Sequence, residues 1–168
     1  LNSGRLYRAV ALKIENKKIN LNNKSEILKV AKFLKDTDLN SYDLFTSKID
    51  KLASKISSKK YLRNELKNYQ RKFPKKYANG KKYAIVEGRD IGTEIFPGAK
   101  FKIFIWADAK IRARRRYDQI EKKGQKVSLM KIYNDIVARD AKDLGRKIAP
   151  LKPAANSVLL DTSYLDIE

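Results

Sequence analysis

An arginine and an aspartate stand side by side directly after a short apolar run. The run is Tyr83–Val86, and it leads into Glu87-Gly88-Arg89-Asp90. β-Branched and aromatic residues predict a buried strand, and ligands of open α/β sheets bind at the carboxyl ends of such strands. Arg89 suits a phosphate group because its planar guanidinium makes paired, charge-assisted hydrogen bonds. Asp90 can orient an arginine, accept a hydrogen bond from a base or hydroxyl, or hold water on Mg²⁺. A structural Arg–Asp pair at a strand end is the alternative.

The residue types present exclude several kinds of catalysis. The chain has 168 residues and contains neither cysteine nor histidine. This excludes disulfides, thiolate chemistry and a Ser-His-Asp mechanism, and it removes the two commonest zinc ligands. No apolar run approaches the ~20 residues that cross a membrane. We therefore expect one cytoplasmic domain whose chemistry depends on Arg, Lys, Asp and a bound hard metal ion.

The formal net charge is +20, which raises the possibility of nucleic-acid binding. The lysines, however, are scattered along nearly every segment, as on solvated helix faces. The arginines concentrate in the last third of the chain, at Arg112, Arg114, Arg115, Arg116, Arg139 and Arg146. Clustered arginine indicates phosphate, either on a polymer or on a nucleotide.

A second candidate for phosphate binding lies at the start of the sequence. Leu1-Asn2-Ser3-Gly4 is typical of a strand that passes into a helix, with Ser3 as N-cap and Gly4–Glu15 as the helix. Its apolar stripe consists of Leu6, Ala9, Val10 and Ile14. Ser3 and Arg8 lie near the helix N-terminus, where backbone N–H groups attract anions. A plain N-cap with a surface arginine fits the local pattern equally well.

Three apolar strands separated by helices predict an α/β fold with a parallel sheet. The predicted strands are Tyr83–Val86, Phe101–Trp106 and Ser157–Leu160, and the first two are predicted to be buried. The other predicted elements are helices Ser25–Lys35, Tyr42–Ile56 (with Phe45 in its core stripe), Ser58–Phe73 (ended by Pro74), Lys110–Lys123 and Ser128–Asp140 (capped by Ser128), and a loop Lys75–Lys82. An inserted helical subdomain and an arginine-rich hairpin are typical of phosphoryl-transfer enzymes that close two flaps over charged ligands.

Five motifs, in this order and at these spacings, resemble bacterial cytidylate kinase. They are LNSGRLYR (1–8), EGRDIGT (87–93), FPGAKFKIFIWAD (96–108), RARRR (112–116) and RDAKDLGRKIAPLKPA (139–154). The resemblance covers essentially the whole chain. The RARRR motif and the last motif are much more specific than a lone glycine loop.

The resemblance implies a P-loop nucleoside monophosphate kinase fold, three layers deep, with a parallel sheet of order 2-3-1-4-5. It also implies a helical insert at about residues 24–74 that binds the nucleoside monophosphate, and an arginine-rich lid at about 110–146. The implied reaction moves the γ-phosphoryl group of ATP to CMP or dCMP with Mg²⁺. The products are CDP or dCDP and ADP.

Site residues follow from the resemblance position by position. Ser54, Arg63 and Asp90 would read cytosine, and Arg139 and Asp143 would address the sugar. The acceptor phosphate would be held by Ser3, Arg8, Arg89 and Arg146. The lid arginines that close on ATP would be Arg112, Arg115 and Arg116. Arg89, Asp90, Arg139 and these lid arginines would form the catalytic set. No protein group would bind the metal directly, although Asp90 could do so through water.

The chain departs from the family pattern in three respects. The phosphate loop G-x-x-x-x-G-K-[ST] does not occur in the sequence. The resemblance puts that loop and the central first strand upstream of Leu1, so we expect a longer protein. Asn2 stands where the family has Asp, and Lys142 stands where it has Arg. Lys142 keeps the charge but loses the bidentate geometry.

Several other functions are compatible with the sequence. A kinase specific for UMP or AMP is the nearest, and Ser54, Arg63 and Asp90 would decide it. A basic RNA-binding protein would expose aromatic residues beside its cations for base stacking, whereas Phe101, Phe104 and Trp106 lie in apolar strand runs. A nucleotide-binding relative without catalysis is the third. We expect a monomer that binds nucleotides, with no nucleic acid or membrane partner.

Overall fold

The computed structural model describes residues 1–77, 83–122 and 124–166. The chain divides into two compact units, of which unit 1 is Leu1–Ile91 and unit 2 begins at Gly92. A single π-helical turn, Ile91–Ile95, covers the boundary in the sequence. Within the described ranges, no helix combines the length and the apolar character needed to span a bilayer.

Unit 1 is helical. Its helices are α1 (Ser3–Asn16), α2 (Lys24–Lys32), α3 (Ser47–Ile56) and α4 (Lys60–Tyr77), with 3₁₀ turns at Asp36–Asn40 and Tyr42–Phe45. Helix α1 packs against α3, and α2 packs against α4. The most deeply buried aliphatic side chains of this core are Leu6, Val10, Ile27, Leu44, Ile56, Leu62 and Leu66. The apolar stripe predicted for α1 is confirmed, since all four of its residues are buried.

Helix α1 begins one residue earlier than predicted. The N-cap is Asn2, whose side-chain oxygen accepts a hydrogen bond from the Arg5 N–H at 3.3 Å. Asparagine satisfies the first amides of a helix as well as serine does. Ser3 is therefore released from capping and becomes the first helical residue, with only 4% of its surface exposed.

The predicted helix Tyr42–Ile56 is split in two. Thr46 ends the 3₁₀ turn Tyr42–Phe45, and it caps α3 because its hydroxyl accepts from the Ile49 N–H at 3.4 Å. The interruption rotates the segment before it. Leu44 is consequently fully buried, and Phe45, predicted in the core, is 44% exposed.

Helix α4 continues past Pro74, where the prediction ended it. A proline inside a helix forgoes one backbone hydrogen bond, to the residue four positions earlier, and the helix tolerates this loss here. The predicted loop Lys75–Lys82 is therefore helical as far as Tyr77. Its remaining residues, 78–82, lie outside the described part of the chain.

The prediction of a buried strand at Tyr83–Val86 is wrong. Tyr83 and Ile85 are 77% and 84% exposed. Parallel pairing is limited to one bridge between Asn2 and Glu87, with backbone hydrogen bonds of 2.8 Å from Glu87 N–H to the Leu1 carbonyl and 2.9 Å from Ser3 N–H to the Glu87 carbonyl. A strand needs paired neighbours, and this segment meets only one among the described residues. The bridge nevertheless fixes Glu87 beside the start of α1.

Unit 2 contains a parallel strand pair and two helices. They are β1 (Ile103–Trp106), α5 (Ala109–Glu121), α6 (Leu129–Gly145) and β2 (Val158–Asp161). Strands β1 and β2 run parallel, in register from Ile103 opposite Val158 to Trp106 opposite Asp161. This confirms the predicted parallel α/β arrangement. Helix α6 starts after the predicted cap Ser128 but extends five residues beyond the predicted end at Asp140. Lys123, the predicted end of α5, is not among the described residues.

The burial predicted for the strand Phe101–Trp106 is wrong. Phe101 is 75% exposed, and Trp106 is 48% exposed. The apolar side chains of both strands project from a sheet of only two described strands, which cannot bury both of its faces. The argument against RNA binding that rested on buried aromatics therefore does not hold.

Candidate functional site

Gly88 lies against the first helical residue of α1. A Cβ atom at position 88 would fall 2.0 Å from Ser3 Oγ and 3.0 Å from Ile91 Cγ1. The lack of a side chain allows the segment that carries Arg89 and Asp90 to pass directly over the N-terminus of α1. Backbone N–H groups and the helix dipole favour an anion at such a position.

Asp90 forms an ion pair with Arg63 of α4. The Asp90 Oδ2 atom accepts a hydrogen bond from Arg63 Nη2, and both side chains are only 10% exposed. Arg63 Nη1 donates to the Ser57 carbonyl at 3.0 Å, and its guanidinium lies 5.8 Å from the centre of the Tyr7 ring. These contacts orient Arg63 from three sides. A buried pair held in this way presents a fixed array of charge to a bound molecule.

Arg8 of α1 is held by a different carboxylate. Its Nε and Nη2 atoms donate to Asp50 Oδ1 of α3 at 2.8 and 2.5 Å. The guanidinium also lies 5.2 Å from the centre of the Phe45 ring, and Arg5 contacts the same ring at 5.2 Å. Arg8 is thus fixed by an ion pair along one edge and by an aromatic ring on one face.

The other two predicted residues of unit 1 are partly exposed. Ser54 lies on α3, one turn after Asp50 and therefore on the same helix face. Arg89 lies between Gly88 and Asp90 and is half-buried. Unit 1 thus carries six predicted site residues, namely Ser3, Arg8, Ser54, Arg63, Arg89 and Asp90.

In unit 2, Arg112 joins the two helices. Its Nη1 and Nη2 atoms donate to the two carboxylate oxygens of Asp140 on α6 at 3.2 and 2.6 Å. Its Nε donates to the Ala107 carbonyl at 2.8 Å. Asp140 directly follows Arg139 in the sequence. Its bidentate pair with Arg112 fixes the position of α6 relative to α5.

The other arginines of the RARRR motif have separate partners. Arg115 Nη2 donates to the carbonyl oxygens of Thr162 and Leu165, at 2.5 and 2.9 Å. Arg114 pairs with Asp118 on its own helix at 3.0 Å. Arg116 makes only a 3.4 Å hydrogen bond to Gln119 among the described residues. Adjacent positions on a helix diverge by about 100°, which explains why the four cations act differently.

Three predicted residues follow one face of α6 and its C-cap. Arg139, Asp143 and Arg146 are spaced four and three residues apart. Arg146 Nη1 donates to Asp143 Oδ1 at 3.2 Å, and its Nε donates to the Ala149 carbonyl. The Arg139 side chain is exposed and makes no hydrogen bond or ion pair with any described residue. The Arg146–Asp143 ion pair and the exposed Arg139 guanidinium therefore share this helix face.

A serine fixes the turn after β2. Ser163 donates to Asp161 Oδ1 from its hydroxyl at 2.6 Å and from its backbone N–H at 2.8 Å. These two hydrogen bonds hold the pKa of the Asp161 carboxyl below its ordinary value. The Ser163 hydroxyl also accepts from the Asp108 N–H at 2.9 Å, which ties the end of β2 to the start of α5.

Sequence reasoning missed the partners that orient the predicted residues. They are Asp50 and Phe45 for Arg8, Asp140 for Arg112, and Ser57 and Tyr7 for Arg63. The one usable signal was spacing, because Asp50 and Ser54 are four residues apart on a predicted helix. Pairings across many residues, such as the 42 positions from Arg8 to Asp50, leave no local pattern.

The arginine and carboxylate groups within each unit suit contact with a charged nucleotide. Guanidinium groups pair with phosphates, and carboxylates accept hydrogen bonds from base and sugar donors. Across the described ranges, no three His, Cys, Asp or Glu side chains lie close enough together to hold a metal ion.

Comparison with known proteins adds evidence of kinship. The family profile described as cytidylate kinase matches residues 1–168. Cytidylate kinase of Bartonella tribocorum is 39% identical over 168 residues, which cover 100% of this chain and 76% of that protein. Cytidylate kinase of Bradyrhizobium diazoefficiens is 39% identical over 168 residues, covering 100% and 77%. Cytidylate kinase of Dichelobacter nodosus is 45% identical over 117 residues, covering 70% of this chain and 50% of that protein.

Proposed function

The chain belongs to the cytidylate kinase family of P-loop nucleoside monophosphate kinases, and we propose that it transfers the γ-phosphoryl group of ATP to CMP or dCMP. The products are ADP and CDP or dCDP. The observation that carries the proposal is the buried Arg63–Asp90 pair, which provides a charged, preorganised group for reading a nucleobase.

Arg63 and Asp90 have the chemistry to recognise cytosine. A carboxylate accepts from the exocyclic amine of cytosine, and a guanidinium donates to the ring nitrogen and carbonyl oxygen. UMP presents a carbonyl in place of that amine, so it would face the Asp90 carboxylate unfavourably. Ser54, on the helix that carries Asp50, supplies a hydroxyl for the same base.

The phosphates would be held by arginines. On the family resemblance, Ser3, Arg8, Arg89 and Arg146 would serve the acceptor phosphate. Arg139 and Asp143 serve the sugar. No general base is required, because the CMP phosphate oxygen is already an anionic nucleophile. The protein contributes by neutralising charge on the transferring phosphoryl group and by excluding water.

Residues 110–146 would act as a lid over ATP, and residues 24–74 as the insert that binds the acceptor. Arg112, Arg115 and Arg116 belong to the lid, and Arg116 supports this role most directly because its one described hydrogen bond is long. Phosphoryl transfer from ATP uses a divalent metal ion. We propose Mg²⁺, which would be held by the ATP phosphates without a direct protein ligand and would contact Asp90 through water.

We propose a monomeric, cytoplasmic enzyme, because nucleoside monophosphates and ATP are cytoplasmic metabolites and none of the predicted site residues requires a second subunit. The oligomeric state is measurable by light scattering during size-exclusion chromatography.

The test is ADP formation by the full-length protein from Mg·ATP with CMP, dCMP, UMP and AMP as separate acceptors. Strong preference for CMP and dCMP supports the proposal. Preference for UMP or AMP would instead indicate a kinase specific for that nucleoside monophosphate. Absence of turnover with every acceptor, from a folded protein, would contradict it, and RNA binding titrated against salt would then test the alternative suggested by the +20 charge.

A further inference from the structure

Asp50 contacts Arg8 in a way that leaves one side of the guanidinium open. The carboxylate oxygen Oδ1 accepts from both Nε and Nη2, which together form one edge of the guanidinium. The third nitrogen, Nη1, makes no hydrogen bond to the described residues. A guanidinium can bind a carboxylate along one edge and a phosphate along another.

The open nitrogen faces the first turn of α1. A Cβ atom built on Gly4 would be 3.9 Å from Arg8 Nη1. That turn also carries Ser3, the N-terminal backbone N–H groups and the positive end of the helix dipole. The edge of Arg8 that is free of Asp50 is thus directed toward the position that favours an anion.

Burial and an aromatic contact hold Arg8 in this orientation. Its side chain is 16% exposed, whereas that of Asp50 is 34% exposed. The Phe45 ring covers one face of the guanidinium at 5.2 Å. Phe45 directly precedes Thr46, the N-cap of α3, and Asp50 lies in the first turns of that helix. The start of α3 therefore provides both the aromatic contact and the ion pair with Arg8.

We propose that Asp50 is a positioning residue that holds Arg8 ready for the acceptor phosphate. The inference rests on the proposed function, since it needs CMP as the acceptor. Asp50 does not touch the nucleotide. It removes rotamer freedom from Arg8 before binding, so less entropy is lost when the phosphate arrives.

The test compares Asp50→Asn with the unmodified full-length enzyme. Asparagine keeps the size of the side chain but loses the charge that anchors Arg8. We expect the KM for CMP to rise by about 5- to 10-fold, with the KM for ATP unchanged and kcat changed less than about 2-fold. Asp50→Glu, which keeps the charge, should recover part of the loss.

Two controls separate positioning from general stabilisation of the helix pair. Glu15→Gln removes the exposed ion pair between Lys48 and Glu15, which joins the same helices α3 and α1 at 2.5 Å. This variant should keep the KM for CMP. In the second control, Asp50→Asn is added to Arg8→Ala, where it should cause no further rise in KM because the residue that it positions is gone.

An unchanged KM in Asp50→Asn, or the same rise in the Arg8→Ala background, would overturn the inference while leaving the kinase proposal intact. A rise in KM that Glu15→Gln matches would also overturn it, since loosened helix packing would then explain the effect. If the unmodified enzyme does not phosphorylate CMP, the proposed function fails, and this inference fails with it.

Discussion

The Arg63 guanidinium and the Asp90 carboxylate, 27 residues apart in the sequence, form a buried ion pair in which each side chain is only 10% exposed. Helix α4 supplies the arginine, and the segment fixed by the Asn2–Glu87 bridge supplies the aspartate. The pair is therefore both a structural element of unit 1 and the main candidate for reading the acceptor base.

Removing one partner of this pair should damage stability and activity together. Arg63→Met or Asp90→Leu alone leaves an uncompensated buried charge, which costs about 3–5 kcal/mol of unfolding free energy. The double variant Arg63→Met/Asp90→Leu replaces the pair with apolar groups and should recover most of that stability. Its kcat/KM for CMP should nevertheless stay about 100-fold or more below the unmodified value. Urea unfolding and steady-state kinetics give the two quantities, and recovery of activity along with stability would show that the pair is only structural.

Gly88→Ala should disturb the start of α1. The new Cβ would lie 2.0 Å from Ser3 Oγ, so the hydroxyl must move or the backbone must shift. Overpacking of this kind costs about 1–3 kcal/mol, and it moves Ser3 and Arg89 from their positions. Gly98→Ala is the matched control, because no atom lies within 4 Å of its added Cβ; it should change stability by less than about 0.5 kcal/mol. Thermal unfolding of the two variants makes the comparison, and equal midpoints would refute the steric argument.

The arginines of α5 should separate into three classes. Arg112→Ala breaks the bidentate link to Asp140 and should lower the unfolding free energy by about 1–2 kcal/mol as well as activity. Arg116→Ala should leave stability unchanged but reduce kcat/KM for ATP by roughly 10- to 100-fold, because it removes the cation proposed to neutralise the ATP phosphates. Arg114→Ala is the control, since its exposed pair with Asp118 contributes little to either quantity. Similar kinetic losses in the Arg114 and Arg116 variants would contradict this division.

Ser163→Ala should destabilise unit 2 in a pH-dependent way. The hydrogen bonds from Ser163 lower the pKa of Asp161 in the folded protein. The stability from that interaction is present above the ordinary pKa of 3.8 and is lost as the pH falls through the lower, folded-state pKa. The difference between Ser163→Ala and the unmodified protein should thus be largest at neutral pH and shrink in acid. A remainder of about 1 kcal/mol, from the hydrogen bond of Asp108 N–H to the hydroxyl, should persist.

Ser157→Ala provides the reference for this pH dependence. The Ser157 hydroxyl donates to the Ala154 carbonyl at 2.7 Å and makes no hydrogen bond to a carboxylate of the described residues. Chemical unfolding from pH 3 to pH 7 should therefore give a constant difference for this variant. A Ser163→Ala difference that is equally constant would show that Asp161 contributes nothing to it.

Local features of the fold followed from the sequence more reliably than long-range ones. The apolar stripe of α1 and the cap Ser128 depend on residues within one or two turns, and the structure confirms both. Tyr83–Val86 has the composition of a strand, yet strand formation depends on neighbours that local sequence does not reveal. The burial of β1 failed as a prediction for the same reason. Leu44 is buried in place of Phe45 because Thr46, the N-cap of α3, interrupts the expected helix.

In the candidate site, too, local sequence and motifs predicted individual residues but not the long-range contacts between them. Motif resemblance supplied the individual residues Arg63, Asp90 and Arg8, and their roles remain predictions. The contacts that orient them came only from the structure, because Arg63 pairs with Asp90 and Arg8 with Asp50 across 27 and 42 residues. Nothing in a run such as RARRR indicates which cation will join two helices and which will stay exposed.

The most direct test of the central claim is the ratio of kcat/KM for CMP to kcat/KM for UMP. It should be measured with Mg·ATP for the full-length enzyme and for Arg63→Met/Asp90→Leu. We predict a large preference for CMP in the unmodified enzyme, and a folded double variant in which that preference has collapsed. A double variant that keeps the preference would contradict the role of the Arg63–Asp90 pair, and an unmodified enzyme that prefers UMP would contradict the proposed function itself.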